Sequence, residues 1–278
     1  MQPNTVIASA EHYSHDELCD AMNRSFSDYA VPMVLSDEGF SVMMRQRGLD
    51  MSASRVAIED GRIVAVWFVS IREAASYLIS SGTDPSHRRR GLARRLALTS
   101  LDELKARGAS SFQTEVLVEN TGAYELYRSL GMRISRTLCC YDIPAAEAAS
   151  IMPGIRETSW SAISEEVKML NDVEPSWQNS IASVAAIEDR VNCFAIHDAK
   201  GLAGYSVLLR DTGTLAQLAV RRNVRRKGLG QSLIRVCQKG NDVRVLNVDS
   251  SSVSLIALMK KMDAVFSTNQ YELRMPMR

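Results

Sequence analysis

Excess charge and long apolar runs are both missing from this 278-residue sequence. Lys and Arg total 33 and Asp and Glu total 32, which gives a net charge of +1. A surface that binds nucleic acid or an anionic membrane needs a broad basic excess, so we expect neither partner, and any attraction for anions must be local. The longest apolar stretches, such as residues 63–69, are strand-length and fall well short of the roughly 20 residues that span a bilayer.

Cysteine is scarce and poorly spaced for a cross-link or a metal site. The five cysteines are an odd number, and Cys139 and Cys140 are adjacent without a second pair at zinc-binding spacing. Residues 1–10 also lack the basic region and apolar core of a secretory signal. We therefore expect reduced thiols, no disulfide framework, no metal and a cytoplasmic location.

One short segment occurs twice. Residues 88–93 (RRRGLA) return as residues 225–230 (RRKGLG), about half the chain later. Each copy follows two strands joined by a turn and then a third strand, and each precedes a helix, a strand, a second helix and a closing strand. The spacing predicts two similar domains, 1–143 and 144–278, rather than a solenoid. An α/β (α+β) fold, a mixed sheet with helices on both faces, is the layer arrangement that fits this order.

Each basic segment lies between a strand and a helix, where a protein can hold phosphate. The first amides of a helix have no internal partner, and the helix dipole adds partial positive charge there. Gly91 has no Cβ to block a ligand that approaches the backbone, and Arg88, Arg89 and Arg90 bring full charges to the same place. Neither a P-loop nor a G-x-G-x-x-G dinucleotide motif is present. The segment therefore predicts a pyrophosphate site of another kind.

Two motifs resemble those of the GNAT acetyltransferase superfamily. Residues 88–93 and 225–230 both satisfy the family's Q/R-x-x-G-x-G/A signature, which binds the pyrophosphate of acetyl-CoA. Residues 120–132 (NTGAYELYRSLGM) are similar to the family's N-x-x-A-x-x-L-Y-x-x-x-G-F/M segment, which starts where two strands splay apart. The resemblance implies two tandem GNAT-like domains, each a splayed mixed β-sheet with helices on both faces, and acetyl-CoA as co-substrate.

The resemblance also implies which residues form the site. Tyr127 takes the position of the family's general acid, and a phenol with a pKa of about 10 can donate a proton at neutral pH. The alternative is a core tyrosine that packs on the sheet. The general base stays unassigned, since the strand at 76–81 has no carboxylate and Glu115 on the next strand is better explained as a solvent-facing residue. The residues expected to bind the cofactor are Thr83, Arg88, Arg89, Arg90, Gly91, Leu92, Ala93, Asn120, Arg225, Gly228 and Gly230.

The second repeat departs from the family pattern where the chemistry would occur. Ser252 stands in place of Asn120, and Met259 stands in place of Tyr127. A methionine cannot donate a proton. This half is therefore expected either to bind CoA without catalysis or only to complete the fold.

The resemblance predicts an N-acyltransferase that moves an acetyl group to the primary amine of a small molecule or a peptide. The family builds its acceptor pocket from the first two helices and the loop between them, so Asp28 and Tyr29 are candidate acceptor-binding residues, with ordinary packing as the alternative. A CoA-binding, sensing or scaffolding protein without catalysis is the rival class. Tyr127 and the intact segment at 120–132 favour the enzyme, and the degraded second repeat favours the rival.

Overall fold

The structure, a computed structural model, describes residues 5–28, 34–145 and 151–277. Its packing divides the chain into two compact units, neither of which is continuous in sequence. The first unit consists of Met1–Thr114, Gly122–Arg133 and Leu273–Arg278, and the second consists of Glu115–Thr121 and Ile134–Glu272. The division at 143/144 concerns the sequence repeats, and it stays a prediction.

The first unit is a mixed sheet with the strand order β1-β2-β3-β4-β5. The pairs are antiparallel as far as β4, and β4 pairs with β5 in parallel. Its strands are β1 (Val6–Ser9), β2 (Arg55–Glu59), β3 (Arg62–Arg72), β4 (Ala75–Thr83) and the start of β5 (Ser111–Leu117). Its helices are α1 (His15–Ser25), α2 (Asp37–Arg47), α3 (Leu92–Ala106) and α4 (Thr121–Ser129).

Local sequence signals account for several element boundaries. Ser14 and Glu17 form a reciprocal capping box that starts α1. Between β2 and β3, Asp60 and Gly61 both have positive φ, at 49° and 76°. These values belong to a two-residue hairpin turn whose twist matches that of the flanking strands. The turn that the sequence predicts between the first two strands of the repeat is therefore confirmed, and it is an Asp-Gly hairpin turn.

Strand β4 is paired with β5 over only part of its length. The parallel ladder joins Ala75, Ser76 and Tyr77 to β5 and ends there, while β4 continues to Thr83. The sheet therefore opens beside the second half of β4. On its other side β4 pairs with β3, with one extra residue, Ile79, between the pairs formed by Leu78 and Ser80. This β-bulge leaves the extra residue out of the ladder.

Both faces of this sheet are covered. Successive side chains of a strand point to opposite faces, and residues 63–70 of β3 are all buried. Helices α1 and α3 both pack on β3. The largest fully buried side chains here include Trp67, Phe68 and Phe112. The predicted mixed sheet with helices on both faces is confirmed for this unit.

The second unit repeats this arrangement with the strand order β12-β6-β11-β10-β9-β8-β7. Strands β10 and β11 are parallel and pair only at Thr214 and Leu215, and Ala216 is an extra residue opposite β9. The unit's strands are β6 (Arg133–Ile143), β7 (Arg156–Thr158), β8 (Val191–Asp198), β9 (Gly201–Leu209), β10 (Thr214–Val220), β11 (Val243–Asp249) and most of β12 (Val265–Pro276). Its helices are α5 (Trp160–Val167), α6 (Ile181–Ala186), α7 (Leu229–Gln238) and α8 (Val253–Lys261).

Strand β6 and the end of β12 do not stay with the repeats that encode them. Strand β6 closes the first repeat in sequence, yet it counts with the second unit and pairs antiparallel with β11. The end of β12 counts with the first unit, where the Met277 amide donates to the Ser110 carbonyl at 2.8 Å. Each unit is thus completed by a segment from the other repeat. Within the described ranges, none of the helices is long and apolar enough to cross a membrane.

Candidate active site and its second copy

The first basic segment forms a loop between the end of β4 and the start of α3. A short 3-10 turn at Pro85–His87 follows the strand, and Gly91 is the N-cap of α3, with φ at 75°. The first helical hydrogen bond joins the Arg95 amide to the Gly91 carbonyl at 3.1 Å. The preceding amides therefore have no helical acceptor. A Cβ added at Gly91 would have no atom within 4 Å, so the protein leaves open space in front of these amides.

Arg88 is held by the protein rather than left open to the cleft. Its Nε donates to the Thr83 carbonyl at 3.1 Å, and one terminal nitrogen donates to the Ser25 carbonyl at 3.0 Å. Both terminal nitrogens also donate to the carboxylate of Asp28, at 2.8 and 2.6 Å. Asp28 was predicted to bind the acceptor, and in the structure its carboxylate instead binds Arg88. The loop between β4 and α3 that contains Arg88, with its counterpart between β10 and α7, is called the phosphate loop after its predicted ligand. The acceptor role of Asp28 stays a prediction.

The next two arginines differ in their surroundings. Arg90 makes a two-pronged ion pair with Glu59, at 2.9 and 3.1 Å, and Glu59 is only 6% exposed. Arg89 is exposed, has φ at 61°, and makes no ion pair or side-chain hydrogen bond among the residues that the structure describes. A third cation, Arg94, donates to the Ser129 hydroxyl at 2.9 Å. Arg89 is therefore the member of the arginine run that is available to a phosphate.

A cleft of about 270 Å³ lies in front of this loop. Gly122 and Leu126 of α4 form part of its wall. The sequence-predicted cofactor residues on its lining are Thr83, Arg88, Arg89, Gly91, Leu92 and Ala93. Arg90 and Asn120 do not line it, and Asn120 directly precedes α4. Most of the cofactor-binding residues predicted for the first repeat therefore lie around one cleft.

Tyr127 is buried on α4 and points at β4. Its hydroxyl shares a hydrogen bond of 3.0 Å with the hydroxyl of Ser81, two residues before the strand ends. Its ring packs edge to face against Trp67 on β3, with centroids 6.2 Å apart. Only 5% of the residue is exposed. Tyr127 therefore packs on the sheet, and its hydroxyl lies at the half of β4 that does not pair with β5.

The bulge at Ile79 is a feature of this site that the sequence did not reveal. It lies two residues before Ser81 on the same strand, and its carbonyl accepts from Arg47 at 3.3 Å. A bulged residue is left out of the regular register of the antiparallel ladder, so the backbone at Ile79 departs from the pattern of the rest of β4. The bulge cannot be found by hydrophobic alternation because β4 is buried on both faces at this point.

The second repeat builds the same loop geometry. Gly228 is the N-cap of α7 with φ at 85°, and Arg226 has φ at 65°, close to the values of Gly91 and Arg89. A Cβ on Gly230 would lie 3.0 Å from Leu258 of α8, so glycine there permits close packing of the two helices. Arg225, Gly228 and Gly230 all line a cavity of about 390 Å³, larger than the cleft of the first repeat.

Polar side chains that the sequence did not single out line the interior of this second cavity. Gln217 donates to the Asn179 carbonyl at 2.6 Å and accepts from the Tyr205 hydroxyl at 2.8 Å. Burial raises the pKa of Tyr205 above its usual range. Met259 lines the cavity at the position of Tyr127 and is 1% exposed. The second cavity is therefore well formed but has a thioether where the first repeat has a phenol.

Tyr29, the other predicted acceptor residue, lies outside the described residues. The described cysteines are all free thiols, and burial raises the pKa of Cys19 and Cys237 to about 11 and that of Cys193 to about 12. In the part of the chain that the structure describes, no group of three or more His, Cys, Asp or Glu side chains is placed to hold a metal ion.

Known sequences are similar to part of this chain. The sequence model of the Acetyltransferase (GNAT) family matches residues 16–132. The [Ribosomal protein bS18]-alanine N-acetyltransferase of Escherichia coli K12 is 33% identical over 73 residues, which are 26% of this chain and 49% of that protein. The chain thus spans about half the length of the curated relatives it matches.

Solved structures match over the whole chain. A tandem GNAT protein from the clavulanic acid biosynthesis pathway has a TM-score of 0.73 at 15% identity, covering 100% of this chain and 99% of its own. A GCN5-related N-acetyltransferase from Sphaerobacter thermophilus also has a TM-score of 0.73, at 17% identity, covering 99% and 96%. At these identities the likeness concerns the fold, and the fold predicted from the two motifs is confirmed. Residues 16–132 are therefore similar to the acetyltransferase (GNAT) family, and the chain as a whole has the fold of the tandem GNAT proteins.

Proposed function

We propose that this protein is an acetyl-CoA-dependent N-acetyltransferase that transfers an acetyl group to the primary amine of a small molecule or a peptide. One observation carries the proposal: the strand that ends in the phosphate loop also meets the hydroxyl of Tyr127. Ser81, which bonds that hydroxyl, is two residues from Thr83 on the cleft wall. A ligand anchored at the loop and extended along β4 reaches the phenol. The free thiols support a cytoplasmic location.

The residues of the cleft fit acetyl-CoA as co-substrate. The amides that precede Arg95 have no helical acceptor and open onto free space at Gly91, which suits a pyrophosphate. Arg89 supplies a cation without a competing carboxylate. The acyl end then lies toward the part of β4 that carries the Ile79 bulge and Ser81. Binding through Arg89 therefore breaks no salt bridge among the described residues, whereas Arg88 and Arg90 keep theirs with Asp28 and Glu59.

The chemistry needs few side chains. The neutral amine attacks the thioester carbonyl, a nitrogen–carbon bond forms, and negative charge develops on the carbonyl oxygen. In this proposal a backbone amide of the bulged part of β4 stabilises that oxygen. The carbon–sulfur bond then breaks, and Tyr127 donates its proton to the leaving thiolate. The amine loses one proton to solvent or to a base that is not assigned, and solvent returns a proton to Tyr127.

The acceptor is proposed from the relatives. The enzyme from Escherichia coli is named for the alanine of a ribosomal protein, which makes a peptide amino group the first acceptor to test. Small amines remain in the proposal because the match covers about half of that enzyme. The rival class, a CoA-binding protein without catalysis, is disfavoured for the first repeat by Tyr127 and by this similarity to N-acetyltransferases.

For the second repeat we propose CoA binding without transfer. Its loop has the same left-handed residues at Arg226 and Gly228, and its cavity is larger than that of the first repeat. Met259 has no proton to give to a thiolate. This half therefore fits the cofactor and lacks the general acid.

A panel of peptides and small amines, assayed by release of the CoA thiol, tests the proposal. Acetylated product should appear for at least one amine and should depend on acetyl-CoA. Calorimetry with acetyl-CoA alone is the companion measurement. Binding without turnover on any amine would favour the non-catalytic protein, and absence of binding would remove the proposed function altogether.

A further inference from the structure

Each repeat carries an aspartate that grips the first arginine of its phosphate loop. Asp28 follows α1 and binds both terminal nitrogens of Arg88. Asp172 follows α5 and binds Arg225 at 2.6 Å, while also accepting from Arg222 at 2.8 Å. The two aspartates occupy corresponding places after the first helix of their repeats.

The arginine is held in the same way from its other side. Arg88 donates through Nε to the carbonyl of Thr83, the last residue of β4. Arg225 donates through Nε to the carbonyl of Val220, the last residue of β10, at 2.6 Å. The two guanidinium groups therefore tie the phosphate loop to the strand end and to the segment after the first helix. This arrangement of carboxylate, arginine and strand carbonyl is called the clamp below.

The clamp leaves Arg88 little capacity for another anion. A guanidinium has five N–H groups, and the bonds to Thr83, Ser25 and Asp28 engage all three of its nitrogens. A two-pronged contact with phosphate would have to replace the contact with Asp28. Hydrogen bonds from Arg88 also lower the pKa of Asp28, so the carboxylate stays charged at neutral pH. The same effect from Arg225 lowers the pKa of Asp172.

The second repeat has the clamp but lacks the residue expected to act as general acid. It has Met259 in place of the general acid, yet it keeps both the phosphate loop and the aspartate that grips it. An aspartate that served only to bind an amine would have no task in a half that cannot protonate the leaving thiolate. The clamp therefore occurs together with the phosphate loop in both repeats, and its presence does not depend on binding of an acceptor amine.

We propose that Asp28 is a positioning residue of the cofactor site: it holds Arg88 against the end of β4 and so leaves the backbone amides and Arg89 to meet the pyrophosphate. This inference rests on the proposed function, since it assigns a task within the acetyl-CoA site. The acceptor-binding role that the sequence predicted for Asp28 is the competing role that the test must separate from it. The pair is largely exposed, with 41% of the Arg88 side chain and 51% of the Asp28 side chain accessible, so it adds little to global stability.

The test is Asp28→Asn assayed with two acyl donors, acetyl-CoA and acetyl-pantetheine. The second donor has the same thioester but lacks the pyrophosphate. Losing a hydrogen bond to a charged group corresponds to about a 10-fold effect. We expect kcat/KM for acetyl-CoA to fall by about that factor, while kcat/KM for acetyl-pantetheine and KM for the amine stay at the wild-type values. Because the second repeat lacks a general acid, turnover reports on the first repeat alone.

Two further variants make the result decisive. Asp102→Asn removes an exposed aspartate of α3 and should match the wild type with both donors. Arg88→Lys keeps the charge but cannot make the forked contact, so it should reproduce the selective loss of Asp28→Asn even if the latter folds poorly.

Three outcomes overturn the inference. A rise in KM for the amine with unchanged acetyl-CoA kinetics would return Asp28 to the acceptor pocket. An equal loss with both donors would make the clamp merely structural, and an unaffected variant would make it irrelevant. Failure of the proposed function looks different, because the wild-type protein would then not bind acetyl-CoA in calorimetry.

Discussion

Replacing Tyr127 with phenylalanine removes one oxygen atom from the buried face of α4. The ring keeps its edge-to-face contact with Trp67, and the backbone of the helix is unchanged. The change removes the 3.0 Å hydrogen bond with the Ser81 hydroxyl. A neutral hydrogen bond of this kind contributes about 0.5–1.5 kcal/mol to stability. In a chain of this length 1 kcal/mol corresponds to about 2–4 °C in Tm, so the variant should melt within a few degrees of the wild type.

The effect on turnover should be far larger than the effect on stability. Losing a general acid costs about 10²–10⁴-fold in rate. That factor corresponds to about 2.7–5.4 kcal/mol of transition-state stabilisation. Affinity for acetyl-CoA should hardly change, since the pyrophosphate is bound at the loop and not by the phenol. The variant therefore separates a proton donor from a packing residue.

The assay follows thiol release at saturating acetyl-CoA, with the best amine from the acceptor panel. Tyr124→Phe, which removes the same oxygen from a half-buried tyrosine on the same helix, is the matched control and should keep its activity. Met259→Leu, conservative in volume, should also turn over normally. A fully active Tyr127→Phe enzyme would remove the tyrosine from the mechanism and make water the proton donor.

Three further predictions follow from the loop, the core and the thiols. Gly91→Trp should abolish the rise in Tm that acetyl-CoA causes, because the bulky side chain fills the open space at the loop. Gly91→Ala has the same backbone strain without the bulk and should keep part of the rise. Unchanged affinity of the tryptophan variant in calorimetry would place the pyrophosphate site elsewhere. Arg136→Met should destabilise the protein by about 3–5 kcal/mol, because it leaves the fully buried Glu272 without its cation. Arg244 forms an exposed ion pair with Asp142, so Arg244→Met should lower the free energy of unfolding by about 1 kcal/mol or less. Equal losses of stability for the Arg136 and Arg244 variants in denaturant unfolding would refute the argument from burial. At pH 8 the native protein should react slowly with a thiol reagent at Cys19, Cys193 and Cys237, because burial raises the pKa values of these three thiols, and all five cysteines should react at once in guanidinium; fast native labelling of the three would contradict this.

Local chemistry fixed those parts of the fold that the sequence predicts well. The Asp60-Gly61 hairpin follows from two residues that tolerate positive φ, and the loops before α3 and α7 follow from a glycine at the junction of strand and helix. The motif at 120–132 placed Tyr127 on a helix, and the structure has it there on α4. Each of these features depends on residues that are close in sequence, so a short pattern is sufficient to predict it.

The sequence by itself determined the resemblance to the GNAT family, the two loops between strand and helix, and the tyrosine on its helix. Tertiary structure alone decided which arginine is free, since Asp28 and Arg88 are 60 residues apart and Glu59 and Arg90 are 31 apart. It also decided the bulge at Ile79, because a strand buried on both faces shows no alternation that could reveal a slip in register. The placement of β6 in the second unit belongs to the same class, because an unpaired strand edge can accept different strands and only the packing of the whole chain selects one.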